Sequence, residues 1–193
     1  MTIAAPPEPS VEGYQAIVGL TQEAPAWVRA AIAAGSLALI IGSIAVFIAV
    51  IWRARGKGMP AMALAVLAPV ATTVAYVIAE TVKVLVEEER PCRALGNVMT
   101  ISACPPSGDW SFPSNHAVVA GAVAVAALVV WRRLAAVVVP LALLGAFTRI
   151  ASGVHYPHDV LAGLLIGAVV TPVVMLAGTY LVTELIRRRR PQP

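Results

Sequence analysis

Three short stretches of the chain bring together residue types that can do chemistry. In Glu80-Thr-Val-Lys83-Val-Leu-Val-Glu87-Glu88-Glu89-Arg90-Pro91 the two cations lie seven residues apart. Two helical turns put Lys83 and Arg90 on one face with Glu80 and Glu87, and Pro91 is expected to end the helix at Arg90. Such a face can hold a phosphate; a snorkelling lysine in a salt-bridged helix end is the plainer reading. The second stretch is Phe112-Pro113-Ser114-Asn115-His116, ahead of an apolar run. Ser114 is a good N-cap, the free backbone N–H groups behind it make an anion site, and His116 would sit beside the anion. Taken alone, that string is more often only a cap. The third stretch is Thr148-Arg149-Ile-Ala-Ser-Gly-Val-His155-Tyr-Pro-His158-Asp159, with Pro157 suited to a first helical turn. Asp159, four residues after His155, can fix the tautomer of that ring and leave its other nitrogen free to attack, or it can merely cap the helix. All three histidines of the chain lie in the second and third stretches.

These residues need a frame, and composition names its kind. Of 193 residues 59% are apolar and 12% charged, the latter in a few clusters between long uncharged stretches. That excludes an ordinary soluble domain and describes an all-α, polytopic transmembrane helix bundle. Five spans are predicted, at 30–51, 59–79 with a polar continuation through Glu80 and Lys83, 117–131, 134–147 and 160–182. The third and fourth fall short of the roughly 20 residues a span needs, and recover length through Ser114, Asn115 and His116 and through Thr148, Arg149 and Ile150. Residues 1–26 form an N-terminal segment on the outer side, 27–186 the transmembrane domain and 187–193 a basic tail. The first ten residues, with Pro6, Pro7 and Pro9, are expected to be unstructured. Residues 11–26 are a candidate interfacial helix anchored by Tyr14 and Trp27, not a secretory signal, since Glu8 and Glu12 stand where a signal carries Lys or Arg. Gly163 and Gly167, a G-x-x-x-G in the fifth span, fit packing within the chain more simply than dimerisation. The oligomeric state is not specified by the sequence.

The loop charges give the orientation. Arg53, Arg55, Lys57, Arg132, Arg133 and Arg187–Arg190 fall on one side with a single acid, Glu184. By the positive-inside rule that side, with the C-terminus, is cytoplasmic. The net charge of +4 is therefore an orientation signal, and no continuous basic face is offered to nucleic acid. The three chemical stretches then meet on the outer side, as do Cys92 and Cys104, for which an oxidising compartment favours a disulfide over two free thiols. A metal site made of His116, His155, His158 and Asp159 is opposed by Lys83, Arg90 and Arg149, which would repel a divalent ion; no cofactor is implied.

The ordered set Lys-x6-Arg-Pro, Pro-Ser-x-His and Arg-x5-His-x3-Asp resembles the type 2 phosphatidic acid phosphatase superfamily, membrane lipid phosphatases related to vanadium haloperoxidases. The resemblance covers Lys83 to Asp159. Asn115 stands where that family usually has Gly, and Thr148 where it usually has Ser. The family frame commonly has six spans, so the N-terminal surface helix would replace the first. The resemblance implies that His155 is the nucleophile on phosphorus, giving a phosphohistidine, that Asp159 orients it, and that a protonated His116 serves the leaving oxygen and then water. Lys83, Arg90 and Arg149, with Ser114, Asn115 and backbone N–H groups, would bind the phosphate oxygens. His158 matches a variable position, behind the reacting pair or towards solvent, with a substrate role as the lesser alternative.

The function implied is hydrolysis, without metal, of a lipid phosphate or diphosphate at the outer face of a bacterial plasma membrane. Polyprenyl diphosphate recycling for cell-wall biogenesis leads the substrates, ahead of phosphatidylglycerophosphate, phosphatidate and a polyprenyl-linked sugar phosphate. Arg outnumbers Lys twelve to two, in keeping with a GC-rich bacterium. The rival functions are a phosphotransferase and a lipid-phosphate binding or transport protein; the latter needs cations but no nucleophile oriented by a carboxylate.

Overall fold

The computed structural model describes residues 5–96 and 98–189. Residues 1–4 of the N-terminal segment and 190–193 of the basic tail lie outside the described residues, while 187–189 continue the last helix. Helices α1 (Glu8–Gln22), α2 (Ala26–Ala54), α3 (Met59–Val86), α4 (Pro91–Ala94), α5 (Asn115–Val130), α6 (Arg132–Ala151) and α7 (Pro157–Arg189) follow one another without a strand among the described residues. Helices α2, α3, α6 and α7 are long and apolar enough to cross a membrane, and α5 is a shorter apolar helix of 16 residues. The five apolar helices coincide with the five predicted spans. As expected, α6 gains length through Thr148–Ala151 and α5 begins at Asn115.

The bundle is a membrane protein's inside-out arrangement of side chains. Leu161, Leu165, Val169 and Val173, one four-residue row along α7, are exposed, as are Leu37, Ile41, Ile44 and Ile48 on α2. In lipid such rows cost nothing, so burial is given over to small residues that let backbones approach closely. Ala68, Ala71, Ala75 and Ala79 of α3 and Ala117, Ala120, Ala126 and Ala127 of α5 are fully buried. Helix α5 touches α2, α3, α6 and α7, which shelters its short length inside the bundle. Gly163 lies against the Ser114 carbonyl and Gly167 against Val118 and Ala122, so the G-x-x-x-G faces α5 within the chain.

Three local expectations are corrected. Helix α1 starts at Glu8, not after residue 10, because Pro9 is tolerated in a first turn where its missing N–H is not needed. Tyr14 is no headgroup anchor: it is fully buried, and its hydroxyl donates to the Gly153 carbonyl at 3.0 Å. Helix α3 ends at Val86, with Glu87 left-handed at φ 52°, so Lys83 and Arg90 do not share one helix; Pro91 starts α4, and Arg90 is its extended N-cap.

The α5–α7 contact generates a prediction. A side chain at Gly167 meets backbone, which cannot move aside, so Gly167→Val should destabilise by about 1–3 kcal/mol or more. Thermal unfolding in detergent should show a clear fall in Tm. Gly19→Ala, on α1 with no heavy atom within 4 Å of the new Cβ, should leave Tm unchanged or raised.

Candidate active site

The chain runs up and down the bundle, so the C-terminal ends of α3 and α6 and the N-terminal ends of α2, α5 and α7 share one end. That end holds all three chemical stretches. At the opposite end Arg53, Lys57, Arg132 and Arg133 line one shallow cleft and Arg187 another. A pocket of about 390 Å³ at the chemical end is lined by Lys83, Arg90, Asp109, Asn115, His116, Arg149 and His155, with Ile40, Tyr76, Pro105 and Val119. Residues far apart in sequence thus converge on one space.

His155 follows the α6 end in a tight turn, and Asp159 lies in the first turn of α7. The imidazole Nδ1 is 3.2 Å from Asp159 Oδ2, and Nε2 is 2.9 Å from Arg90 Nη1. Guanidinium has no lone pair, so Nε2 must accept from Arg90 and carry no proton. Nδ1 then carries the hydrogen and gives it to Asp159. Burial, reinforced by the charge of Arg90, pushes the His155 imidazole down to about 3 against the pull of Asp159. The ring is neutral at ordinary pH, with its lone pair on the pocket side. That arrangement can attack an electrophilic phosphorus once an anion takes over the Arg90 N–H groups.

Asp159 both orients and caps, so the two readings of its spacing are compatible. Oδ2 also accepts from the Tyr156 N–H at 2.8 Å and from the Ser111 hydroxyl at 2.5 Å. Its backbone carbonyl accepts from the Ser114 N–H at 3.1 Å, which ties the start of α5 to the start of α7. Arg90 spans the loops: Nε donates to the Asp109 carbonyl at 2.7 Å, Nη2 to Asp109 Oδ1 at 2.8 Å and Nη1 to the Val154 carbonyl at 3.0 Å. Lys83 reaches the same Oδ1 at 3.6 Å and Glu80 at 3.4 Å. Lys83 and Arg90 therefore do converge, on a carboxylate from a third loop. Arg149 donates to Ser36 of α2 and leaves its Nε without a partner.

Two expectations need refining. Ser114 occupies the N-cap of α5, yet its hydroxyl makes no cap bond, is buried without a partner and does not line the pocket. Asn115 gives its amide N–H to Glu80, and its remaining free atom, Oδ1, is an acceptor; towards an anion it offers backbone N–H only. His158 lies behind the pair, as one of its readings had it, and does not line the pocket. Asp109, Ser111, Glu88 and Ser36 were not singled out by sequence. Ser111 carried no signal, being 48 residues from Asp159, and Glu88 is one of three consecutive glutamates. The Cys92 and Cys104 sulfurs are bonded, with Cα atoms 6.0 Å apart, and close the loop that carries Pro105 towards the pocket.

A family model described as the PAP2 superfamily matches residues 64–182, which include every residue from Lys83 to Asp159. A curated relative, an undecaprenyl-diphosphatase of Sulfolobus acidocaldarius, is 31% identical over 98 residues, 49% of this chain and 46% of that one. The chain thus spans about half the length of that relative. Two crystal structures have a similar fold. Aquifex aeolicus LpxE aligns with a TM-score of 0.65 at 22% identity, covering 91% of this chain and 99% of its own. The first transmembrane PAP2 type phosphatidylglycerolphosphate phosphatase from Bacillus subtilis aligns with a TM-score of 0.60 at 17% identity, covering 95% of this chain and 90% of its own.

Asp109 generates a prediction for pH. Partial burial opposes its ionisation, but Arg90 and Lys83 outweigh burial and hold the carboxyl below the usual range. A depressed folded value contributes stability that is complete above the unfolded value of about 3.9 and is lost as pH falls through the folded one. The Tm difference between wild type and Asp109→Asn should therefore be constant from pH 7 to 5 and shrink below about pH 4. A difference unchanged down to pH 3 would show that the Asp109 charge does not matter.

Proposed function

The chain belongs to the PAP2 superfamily, and from that membership we propose that it hydrolyses a lipid phosphate or diphosphate, foremost a polyprenyl diphosphate, at the outer face of a bacterial plasma membrane. The observation that carries the reading is His155, neutral, with Nδ1 on Asp159 and Nε2 facing three cations across one pocket. A binding protein needs the cations alone.

In this reading Lys83, Arg90 and Arg149 take the peripheral phosphate oxygens, with the N–H groups at the start of α5. Arg90 exchanges its hydrogen bond to Nε2 for one to phosphate, which frees the lone pair. Nε2 then forms a bond to phosphorus as the bond to the leaving oxygen breaks. His116, which the pocket cations keep neutral until the phosphate charge offsets them and it takes up a proton, gives that proton to the leaving oxygen. Water next loses a proton to His116 and attacks phosphorus, the P–N bond breaks, and neutral His155 returns. Asp159 balances the charge that builds on the imidazole between these steps. Phosphoryl transfer is mostly positioning and electrostatics, which three cations supply; the same cations oppose a divalent ion, so the reaction runs without metal.

The outer location rests on the basic residues gathered at the other end of the bundle. The substrate class rests on the name of the Sulfolobus acidocaldarius relative and on outer loops too short to read a large headgroup.

Phosphate release from purified protein in detergent tests the reading on polyprenyl diphosphate, phosphatidylglycerophosphate, phosphatidate and a polyprenyl-linked sugar phosphate. His155→Ala should abolish turnover, His116→Ala should lower kcat about 10²- to 10⁴-fold, and EDTA should change nothing. Wild-type turnover in His155→Ala would sink the assignment, and phosphate appearing on an acceptor alcohol in place of water would make the enzyme a transferase.

A further inference from the structure

Behind the reacting pair lies a second polar cluster that the mechanism above does not use. Glu88 is 3% exposed and Asp159 fully buried, and the His158 ring stands between them. His158 Nε2 is 3.0 Å from Glu88 Oε2 and 3.2 Å from Asp159 Oδ1. Both neighbours are carboxylate oxygens, so Nε2 must carry a hydrogen. The ring has little freedom. Phe112 and Tyr156 stack on it at centroid distances of 5.6 Å, with interplanar angles of 22° and 23°. On the far side Nδ1 is 2.7 Å from the Ser10 hydroxyl of α1, whose oxygen also accepts from the His158 backbone N–H at 3.2 Å.

The two oxygens of Asp159 have different surroundings. Oδ2 faces three donors, His155 Nδ1, Ser111 and the Tyr156 N–H, whereas the polar group facing Oδ1 is His158. A carboxylate is held against rotation about its Cβ–Cγ bond only when both oxygens are engaged. Two buried carboxylates also repel unless a proton or cation lies between them. Burial, reinforced by Asp159, raises the Glu88 carboxyl above the ordinary carboxylate range even against its bond to His158. The imidazole at the midpoint meets both needs: its N–H is hydrogen-bonded to Glu88 Oε2, and the ring lies in ion-pair range of Asp159 Oδ1, which has no hydrogen-bond partner.

We propose that His158 and Glu88 are positioning residues for the reaction assigned to His155: the His158 imidazole, held by its hydrogen bond to Glu88 in ion-pair contact with Asp159 Oδ1, keeps Asp159 in the rotation that presents Oδ2 to His155 Nδ1. The proposal rests on the reading of His155 as the reacting group. Neither His158 nor Glu88 lines the pocket, so their effect is on the reaction step and not on the hold on phosphate. The link also makes docking of α1, through Ser10, part of the support of the site.

His158→Ala should lower kcat about 10- to 100-fold with KM changed less than about twofold, as for loss of an orienting partner. His158→Gln, whose amide N–H can reach the same oxygens, should recover most of the loss, and Glu88→Gln, which keeps an acceptor, should cost less than Glu88→Ala. The chain has three histidines, so ¹⁵N imidazole spectra can follow each ring. His155 should be the Nδ1–H tautomer in wild type and His158→Gln, and a mixture of tautomers in His158→Ala, with Tm recorded alongside. The spectra need no turnover: a wild type inactive on every lipid phosphate would overturn the phosphatase reading and leave the tautomer result to decide this proposal. Unchanged kcat in His158→Ala, a rise in KM alone, or an undisturbed His155 tautomer would overturn it. So would EDTA shifting the His158 signals, since Glu88, His158 and Asp159 could then hold a metal ion between ligand atoms that lie within 4.8 Å of one another.

Discussion

A carboxylate with no exposed surface has to be surrounded by donors, and the donors around Asp159 come from every part of the chemical end. His155 supplies a ring N–H, Tyr156 a backbone N–H, and Ser111, from the loop before α5, its hydroxyl. The Asp159 carbonyl takes the Ser114 N–H. One residue thereby joins the turn after α6, the start of α7 and the start of α5. Removing its charge would leave several donors facing a neutral group in a dry site, and the register between α5 and α7 would lose its polar tie.

The cations impose the opposite constraint. Lys83, Arg90 and Arg149 line one pocket, and three positive charges so close need negative charge to be stable. Asp109 supplies part of it, bonded to Arg90 and near Lys83 while itself about half exposed. A phosphate arriving there competes with a carboxylate that is already in place. That loop is held by backbone contacts to Arg90 and by the covalent link of Cys92 to Cys104, so Asp109 stays close whether or not its carboxylate yields. The site is thus assembled and partly charge-compensated before a ligand enters, which would lower the reorganisation required in the phosphoryl transfer proposed above.

Apolar runs are legible because the bilayer demands length and hydrophobicity, and all five helices appear where runs of 14 to 23 apolar-rich residues predict them. The His155–Asp159 geometry was also legible, since a separation of four at a helix start is local. Lys83 and Arg90 were misread as one helical face because the αL residue Glu87 breaks the helix, and nothing in three consecutive glutamates marks which one does so. Their convergence survived for a different reason: both point to Asp109, 19 residues beyond Arg90. Ser111, Glu88 and the α1 contacts were invisible, because they depend on tertiary pairings up to 148 residues apart that no periodicity encodes.

Packing and chemistry are not separable in this bundle. Gly163 is bare where α7 passes the Ser114 carbonyl, and Gly167 is bare where it passes Val118, so the small residues that let helices approach in lipid also set the height of α5 against α7. That height decides whether the Ser114 N–H meets the Asp159 carbonyl, and hence whether His116, two residues on, enters the pocket that His155 faces. A short α5 is tolerated because four neighbours enclose it, and its N-terminus then ends below the loops of the chemical end, with the Ser114 hydroxyl buried without a partner. Polar groups left open in so apolar a frame are costly. In the proposed reading an anion in the pocket would meet the N-terminus of α5 and offset part of that cost, so the frame that buries these groups and the ligand are matched to each other.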